Sequence, residues 1–385
     1  MIRDRDTQET STVRARYMIA ADGSRSGVRE RLGIQLVGRG VLSNSITIYF
    51  RAAVGPLLRG RNLSVIMVNN PTLRGFFRIE KPFDSGFLVV NTTGDPRQPN
   101  SDLWTGLDNE RAVEYLRAAL GDNEVPVEID SVMRWNARAD VASEFRQGRV
   151  FLAGDAAHVM PPYGGWGGNT GVQDAHNLAW KLALVCKGAA GEGLLDTYEA
   201  ERHPAAVFTT EQAYMRYVTR EAKYLDQGGL PPSENDLNIE LGVLYQSRAV
   251  IPEDDSGVPA AGSSGSAASR GHENPRDSKG RPGSRAPHLW LAPERSTLDL
   301  FGRHFVLLTG PEAGPWRQAA EEAAQHFGLP VEIHRIEEQS FSEAYGIEAH
   351  GAVLVRPDGY VAWRSAGGNR EPKAALLKGF RALLG

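Results

Sequence analysis

An acid at the end of an apolar strand, followed by a glycine-rich loop and an amphipathic helix, is the part of this sequence best suited to chemistry. The segment runs GRVFLAGDAAHVMPPYGGWGGNTGVQDAHNLAWKLAL from Gly148 to Leu184. Val150–Ala153 reads as a buried strand, Gly154-Asp155 as a sharp turn, and the residues that follow the loop as a helix with an apolar stripe. Five glycines fall between Gly164 and Gly171, immediately before that helix. Backbone without side chains can approach a flat ligand closely. The helix start then points free N–H groups and a positive dipole end at whatever occupies the loop. Such a site suits a large electron-accepting or anionic cofactor, with Asp155 placed to bind a sugar-like hydroxyl.

A second motif lies near the start, where Ala15-Arg16-Tyr17-Met18-Ile19-Ala20-Ala21-Asp22-Gly23-Ser24-Arg25-Ser26 leads into Val28-Arg29-Glu30-Arg31-Leu32-Gly33. Tyr17–Ala20 reads as a strand, Asp22-Gly23 as a turn, and Ser26 as the N-cap of a short helix ending at Gly33. Ser24 and Arg25 offer a hydroxyl and a guanidinium suited to phosphate.

In this order the two motifs resemble those of the FAD-dependent aromatic hydroxylases of the p-hydroxybenzoate and phenol hydroxylase type. The resemblance implies that Asp155 binds the ribityl chain of FAD. It places Gly154, Pro162, Gly165, Gly167, Gly168, Asn169 and Thr170 around the isoalloxazine, and Asp22, Gly23 and Arg25 between FAD and the path of NADPH. It also implies an aromatic, polyketide-class substrate hydroxylated with O2 through a flavin C4a-hydroperoxide, with no metal. His158 falls beside the cofactor in this scheme rather than at the ring being oxidised, so no catalytic acid or base is named. The run Tyr198, Glu201, Arg202, Pro204 matches the family's turn into a long helix and carries no chemistry there.

The elements that must position these motifs differ in texture along the chain. Ser45–Ala53, Ser64–Val68, Gly75–Ile79 and Gly86–Val90 are short β-rich runs between Gly, Pro and Asn, and read as antiparallel strands of one sheet. Asn109–Leu120 follows as a helix and Val127–Trp135 as another strand. In the resembling family such a sheet roofs the active site. Tyr49, Met67, Phe77, Arg78, Pro161 and Trp166 are the candidates to touch substrate. Aromatic and apolar groups with few polar ones suit a flat aromatic ligand.

From Pro252 to Pro287 the sequence is low in complexity and then charged and proline-dotted, which predicts a poorly ordered linker. Beyond it come strand Phe305–Thr309, helix Trp316–Phe327, strands Val331–Ile336, Ala352–Arg356 and Tyr360–Arg364, and helix Lys373–Leu384. This order is similar to the thioredoxin-like domain of phenol and polyketide hydroxylases. It has no cysteine, so Cys-x-x-Cys redox chemistry is excluded, leaving a scaffold or a homodimer contact.

The expected architecture is mixed α/β (α+β): an FAD-binding Rossmann-like domain (1–34 and 135–225), an inserted substrate sheet (35–134), a linker (252–284) and a thioredoxin-like domain (285–385). The Rossmann-like part reads as incomplete. No G-x-G-x-x-G with flanking strand and helix, the usual grip on pyrophosphate, occurs in the 385 residues. A truncation, a displaced start or a split gene with a partner chain would each explain that. Three outcomes therefore stand at this stage: hydroxylation, Baeyer–Villiger-type oxygenation on the same fold, or a subunit inactive alone. Net charge is −4 with 23% charged residues, which gives no footing for nucleic acid. No apolar run approaches the ~20 residues of a membrane span. The single cysteine, Cys186, reads as part of the helix core and fits a reducing cytoplasm.

Overall fold

The computed structural model describes residues 1–63, 65–93, 103–225, 228–253 and 271–385. Two short strands, β1 (Ile2–Arg3) and β2 (Thr10–Ser11), form an exposed ribbon ahead of β3 (Met18–Ala20). Helix α1 (Gly27–Leu32) starts where Ser26 Oγ accepts from Arg29 N and stops at Gly33, left-handed at φ 73°. The cap residues are those the sequence marks, because a hydroxyl satisfies an orphan N–H and glycine alone reverses the chain without strain.

A six-stranded sheet follows, built from β4 (Leu36–Arg51), β5 (Val65–Asn69), β6 (Leu73–Glu80), β7 (Ser85–Thr93), β8 (Glu128–Ala142) and the later β11 (His158–Val159), in the order β11-β8-β4-β7-β6-β5. Helix α2 (Asn109–Leu120) covers one face. Ile46, Ile48, Phe50, Phe77, Ile79, Leu88 and Val90 bury against its Ala112, Tyr115 and Leu116. Because strand side chains alternate, their neighbours face the other way. Cross-strand register sets two rows there, Tyr49–Phe87–Arg78–Val65 and Met133–Thr47–Val89–Phe76–Met67. Strand β8 runs seven residues past the expected end at Trp135, since Ala137, Ala139 and Val141 keep alternating into cover.

The chain then returns through β9 (Arg146–Gln147) to β10 (Val150–Leu152), which lies parallel to β3 with Leu152 opposite Ala20. Helix α3 (Trp166–Cys186) and the long helix α4 (Asp196–Arg220) pack beside it, followed by the short α5 (Asp236–Leu241). Cys186 is exposed, contrary to the core placement expected. It is the last residue of α3, and the inward position is taken by Val185 at 3% exposure.

The C-terminal part opens with a small hairpin, β12 (Trp290–Ala292) and β13 (Arg295–Ser296). It continues β14 (Phe305–Thr309), α6 (Gly314–Phe327), β15 (Val331–Arg335), α7 (Gln339–Tyr345), β16 (Ala352–Val355), β17 (Val361–Ser365) and α8 (Pro372–Leu384). The sheet order β15-β14-β16-β17, with only β14 and β15 parallel, is a thioredoxin-like arrangement. Helix α7 went unanticipated, being seven residues of mostly polar sequence with no side-chain cap. This part is not a loose appendage. Phe305, Trp316, Phe380 and Leu384 share one core with Phe151, Leu178, Trp180 and Tyr198, and Gly191 N donates to Leu384 O at 2.7 Å.

Much of the low-complexity stretch within Pro252–Pro287 lies outside the described residues. The charged run 271–284, however, is packed rather than poorly ordered. Leu244 N donates to Gly271 O, Tyr245 N to Gly283 O and Val361 N to Ser284 O. The His272 ring stacks on Phe208 at 3.7 Å. The run has little apolar surface of its own, and neighbouring backbone supplies its partners.

Candidate active site

Because β3 and β10 are parallel neighbours, the Asp22-Gly23 and Gly154-Asp155 turns leave the sheet side by side at the carboxyl ends of the strands, where α/β folds bind ligands. Both turn glycines hold left-handed backbone, φ 85° at Gly23 and 60° at Gly154. Arg29, 5% exposed, clamps the two turns. Its Nη1 donates to Ala156 O at 3.0 Å and its Nη2 to Ser24 O at 3.2 Å. Nothing local in the sequence singles Arg29 out. Asp22 Oδ2 accepts from Val28 N at 3.2 Å. Burial opposes the charge, but bonds from Ser26 and the α1 backbone hold the Asp22 carboxyl below its usual range. Its carboxylate thus caps α1, while Ser24, Arg25 and Asp155 are exposed.

Helix α3 begins at Trp166, earlier than the sequence suggests, so Gly167, Gly168, Asn169 and Thr170 form its first turn rather than a loop. Gly165, at φ 73°, is the N-cap, and no side chain bonds to the first N–H groups. A Cβ on Gly168 would meet nothing within 4 Å, while one on Gly171 would stand 3.1 Å from Gly154 Cα. The helix start therefore presses on the Gly154 turn and presents bare backbone beside it.

The other loop residues divide. Pro162 is exposed, and Pro161 is buried. Thr170 is 5% exposed with its hydroxyl returned to Trp166 O at 2.8 Å, so its side chain is not offered to a ligand. Trp166 is 2% exposed among Met160, Phe208, Ala213 and Ile239, with the Arg216 guanidinium 4.3 Å from its ring. It faces α4 and α5 rather than the sheet. On the sheet, Tyr49, Met67 and Arg78 share the uncovered face, but Phe77 does not. It is 2% exposed and edge-on to Phe50 at 5.8 Å. Beside Tyr49, Phe76 and Phe87 also lie on the uncovered face, Phe87 5.6 Å from Tyr49 and 6.4 Å from Phe76. Tyr163 joins the loop to this sheet, accepting from Asn91 Nδ2 at 3.2 Å. Burial pushes its hydroxyl up, and pushes the adjoining Glu221 carboxyl up as well.

Comparison with known proteins gives the family. Residues 1–213 match the family described as FAD binding domain, and residues 279–385 that described as aromatic-ring hydroxylase, C-terminal. The chain belongs to the FAD-dependent aromatic-ring hydroxylases. A 4-methyl-5-nitrocatechol 5-monooxygenase of a Burkholderia species is 50% identical, over 100% of this chain and 71% of the relative. Tetracenomycin A2 monooxygenase-dioxygenase of Streptomyces glaucescens is 41% identical, over 94% of this chain and 64% of the relative. A crystal structure of aklavinone-11 hydroxylase in ternary complex with FAD and aklavinone superposes with TM-score 0.85 at 37% identity, covering 96% of this chain and 67% of that one. The chain thus spans between 64% and 71% of the length of these hydroxylases.

The cradle fits the ring and ribityl end of FAD. An exposed carboxylate, Asp155, suits ribityl hydroxyls, and uncapped N–H groups at the α3 start suit the electron-rich pyrimidine edge. The absent side chain at Gly168 leaves room for a flat ring. His158 does not face this cradle: it is 1% exposed, with Nε2 2.8 Å from Asp174 Oδ2.

Behind the cradle lies an ionic core. Asp174 bonds Arg202, and burial opposes its charge while the Arg202 guanidinium and His158 hold its carboxyl below the usual range. Glu201 binds Lys181 and, from the thioredoxin-like domain, Arg356, which also pairs with Asp358. Asp358 Oδ2 accepts from Trp180 Nε1 at 3.1 Å. A surface cleft of about 650 Å³, lined by Arg146, Glu199 and His203, lies at the opposite end of β10. Its carboxylate Glu199 is already engaged by the N–H groups of Phe145 and Arg146.

Proposed function

We propose that this chain is an FAD- and NAD(P)H-dependent monooxygenase that hydroxylates an aromatic substrate of polyketide class with O2. The observation that carries the reading is the bare start of α3 beside Asp155, in a chain whose sheet leaves an aromatic face uncovered. Bound in the cradle, FAD supplies electron transfer from NAD(P)H and oxygen transfer from O2. Asp155 would hold the ribityl chain by accepting hydrogen bonds from its hydroxyls. The N–H groups of Gly167 and Gly168, at the positive end of α3, would hold the electron-rich pyrimidine edge and favour negative charge there. Tyr49, Phe87, Phe76 and Met67 cover a flat ring and keep water from it, with Arg78 placed to meet an acidic or phenolic oxygen. Arg25, exposed beside the Asp22-Gly23 turn, is the phosphate contact for NADPH. A cytoplasmic enzyme acting as a homodimer through the thioredoxin-like domain completes the proposal.

The test is flavin content and turnover. Purified chain titrated with FAD should turn yellow at one flavin per chain, and should then consume NADPH in the presence of a phenolic polycyclic substrate. Asp155→Ala should weaken FAD binding while leaving the unfolding midpoint unchanged. A native chain that takes up no FAD, or an Asp155→Ala variant that binds it normally, would sink the reading.

A further inference from the structure

The carboxylate of Asp174 does not contact Asp155, yet it holds the backbone of the turn that carries Asp155 and ties it to β11 and α4. It is fully buried. Oδ2 accepts from Gly154 N at 3.0 Å and contacts His158 Nε2 at 2.8 Å, while Oδ1 accepts from Arg202 Nε at 2.8 Å. Arg202 in turn donates from Nη2 to Thr170 O at 3.1 Å, inside the first turn of α3, and from Nη1 to Tyr245 at 3.2 Å. Asp174 thus binds, from one helix, the turn after β10, the strand β11 and the helix α4. Just N-terminal to it, Gly171 lies close against Gly154, where a Cβ would sit 3.1 Å from its Cα. A carboxylate with both oxygens engaged and no solvent is a rigid spacer, since any shift breaks several charge-assisted bonds together.

We propose that Asp174, with Arg202, is the positioning residue of the flavin cradle: it fixes the Gly154-Asp155 turn against the first turn of α3, and so sets the distance between the ribityl ligand and the ring-binding N–H groups. The proposal rests on the reading that this cradle holds FAD. Asp174 contacts no cofactor atom itself and acts through Gly154 and Thr170. A role confined to stabilising the fold predicts loss of stability with FAD binding intact in whatever folds. Positioning predicts weakened FAD binding even where stability is kept.

Two variants separate these. Asp174→Glu keeps a charge for Arg202 but moves the carboxylate by one methylene. The double variant Asp174→Asn/Arg202→Gln removes the buried ion pair without leaving an unpaired cation. FAD affinity is read by fluorescence quenching, the flavin environment by its visible absorption bands, and stability by urea denaturation before FAD is added. Positioning predicts an FAD Kd raised about tenfold or more with shifted bands, in at least one variant whose denaturation midpoint is native. A folded variant with native Kd and native bands overturns it. Hydrogen exchange on the native chain covers the case where neither variant folds. The Gly154 amide should be strongly protected before FAD is added, and rapid exchange there overturns the proposal equally. If the native chain and Asp155→Ala both fail to bind FAD, it is the cradle reading that has failed instead.

Discussion

Replacing Glu201 by Gln keeps the side-chain volume and deletes one negative charge from the centre of the molecule. Glu201 is 2% exposed, and its oxygens accept from Asn177 at 2.6 Å, Lys181 at 2.7 Å, Ser247 at 2.6 Å and Arg356 at 2.6 and 2.9 Å. Two buried cations, Lys181 and Arg356, are balanced by two buried carboxylates, Glu201 and Asp358. The variant leaves both cations facing Asp358 alone, and an uncompensated buried charge of this kind costs about 3–5 kcal/mol. Lys181 is the group that can yield. Burial already pulls its ammonium down to about 8, with Glu201 the main influence holding it up. Without that charge the ammonium falls further and loses its proton near neutral pH. A folded-state lysine below its unfolded value binds fewer protons than the unfolded chain between the two values, so stability rises with pH across that window. In the native protein the rise begins at about 8. In Glu201→Gln it begins lower, so the difference between the two narrows as pH rises. Urea denaturation should give a loss of about 3–5 kcal/mol at about pH 6 and a smaller one at about pH 8.5. Adding Lys181→Met to the variant should restore charge balance and recover part of the loss. A loss below about 1 kcal/mol, the range of an exposed pair, or a gap independent of pH, would refute the reasoning.

Phe77→Ala should cost about 3–5 kcal/mol in unfolding free energy, whereas Phe76→Ala should leave stability near native and raise KM for the aromatic substrate; equal stability losses would contradict the assigned faces. Gly168→Leu places its Cβ in open space, so the unfolding midpoint should stay native while FAD uptake falls, and normal uptake would count against ring seating at that position. Cys186 should react with a thiol reagent in the native state at one equivalent per chain, without change in circular dichroism. Slow reaction that appears only on unfolding would contradict its exposure.

Local, ordered signals carried much of the fold into view from sequence. The Ser26 cap and Gly33 stop, the helix Asn109–Leu120 and the strand-turn-helix around Gly154 all follow from groups a few residues apart. The choice between Phe76 and Phe77 did not, because adjacent aromatics fit either phase of a strand. Pairing with Met67 and Val89 across the sheet decides it. The start of α3 was misplaced because glycine is a poor helix former. Contact of Gly171 with Gly154 overrides that propensity, and only the tertiary fold reveals it. Whereas Arg202 falls in the run the resemblance marks as structural, Arg29 and Asp174 were missed as site-building residues for a related reason. Their partners lie in distant segments, and buried ion pairs obey no spacing rule. Cys186 differs from Val185 by a single step around the helix, which periodicity near a helix end does not resolve.

The pairing of Ala20 with Leu152 has a consequence for the order of folding. The two strands that end at the cradle are separated by about 130 residues, most of them in the inserted sheet and its helix, and α3 is finally braced by Arg356 and Asp358 near the C-terminus. Loop-closure entropy grows only by about 0.6 kcal/mol per doubling of length, so this arrangement costs little stability. It does delay assembly, because contacts between distant segments form late. During synthesis the cradle gains its last partners only when nearly the whole sequence has emerged. A mutation in the C-terminal sheet that removes Arg356 or Asp358 can therefore loosen α3 and α4, and with them the cradle, without touching either turn.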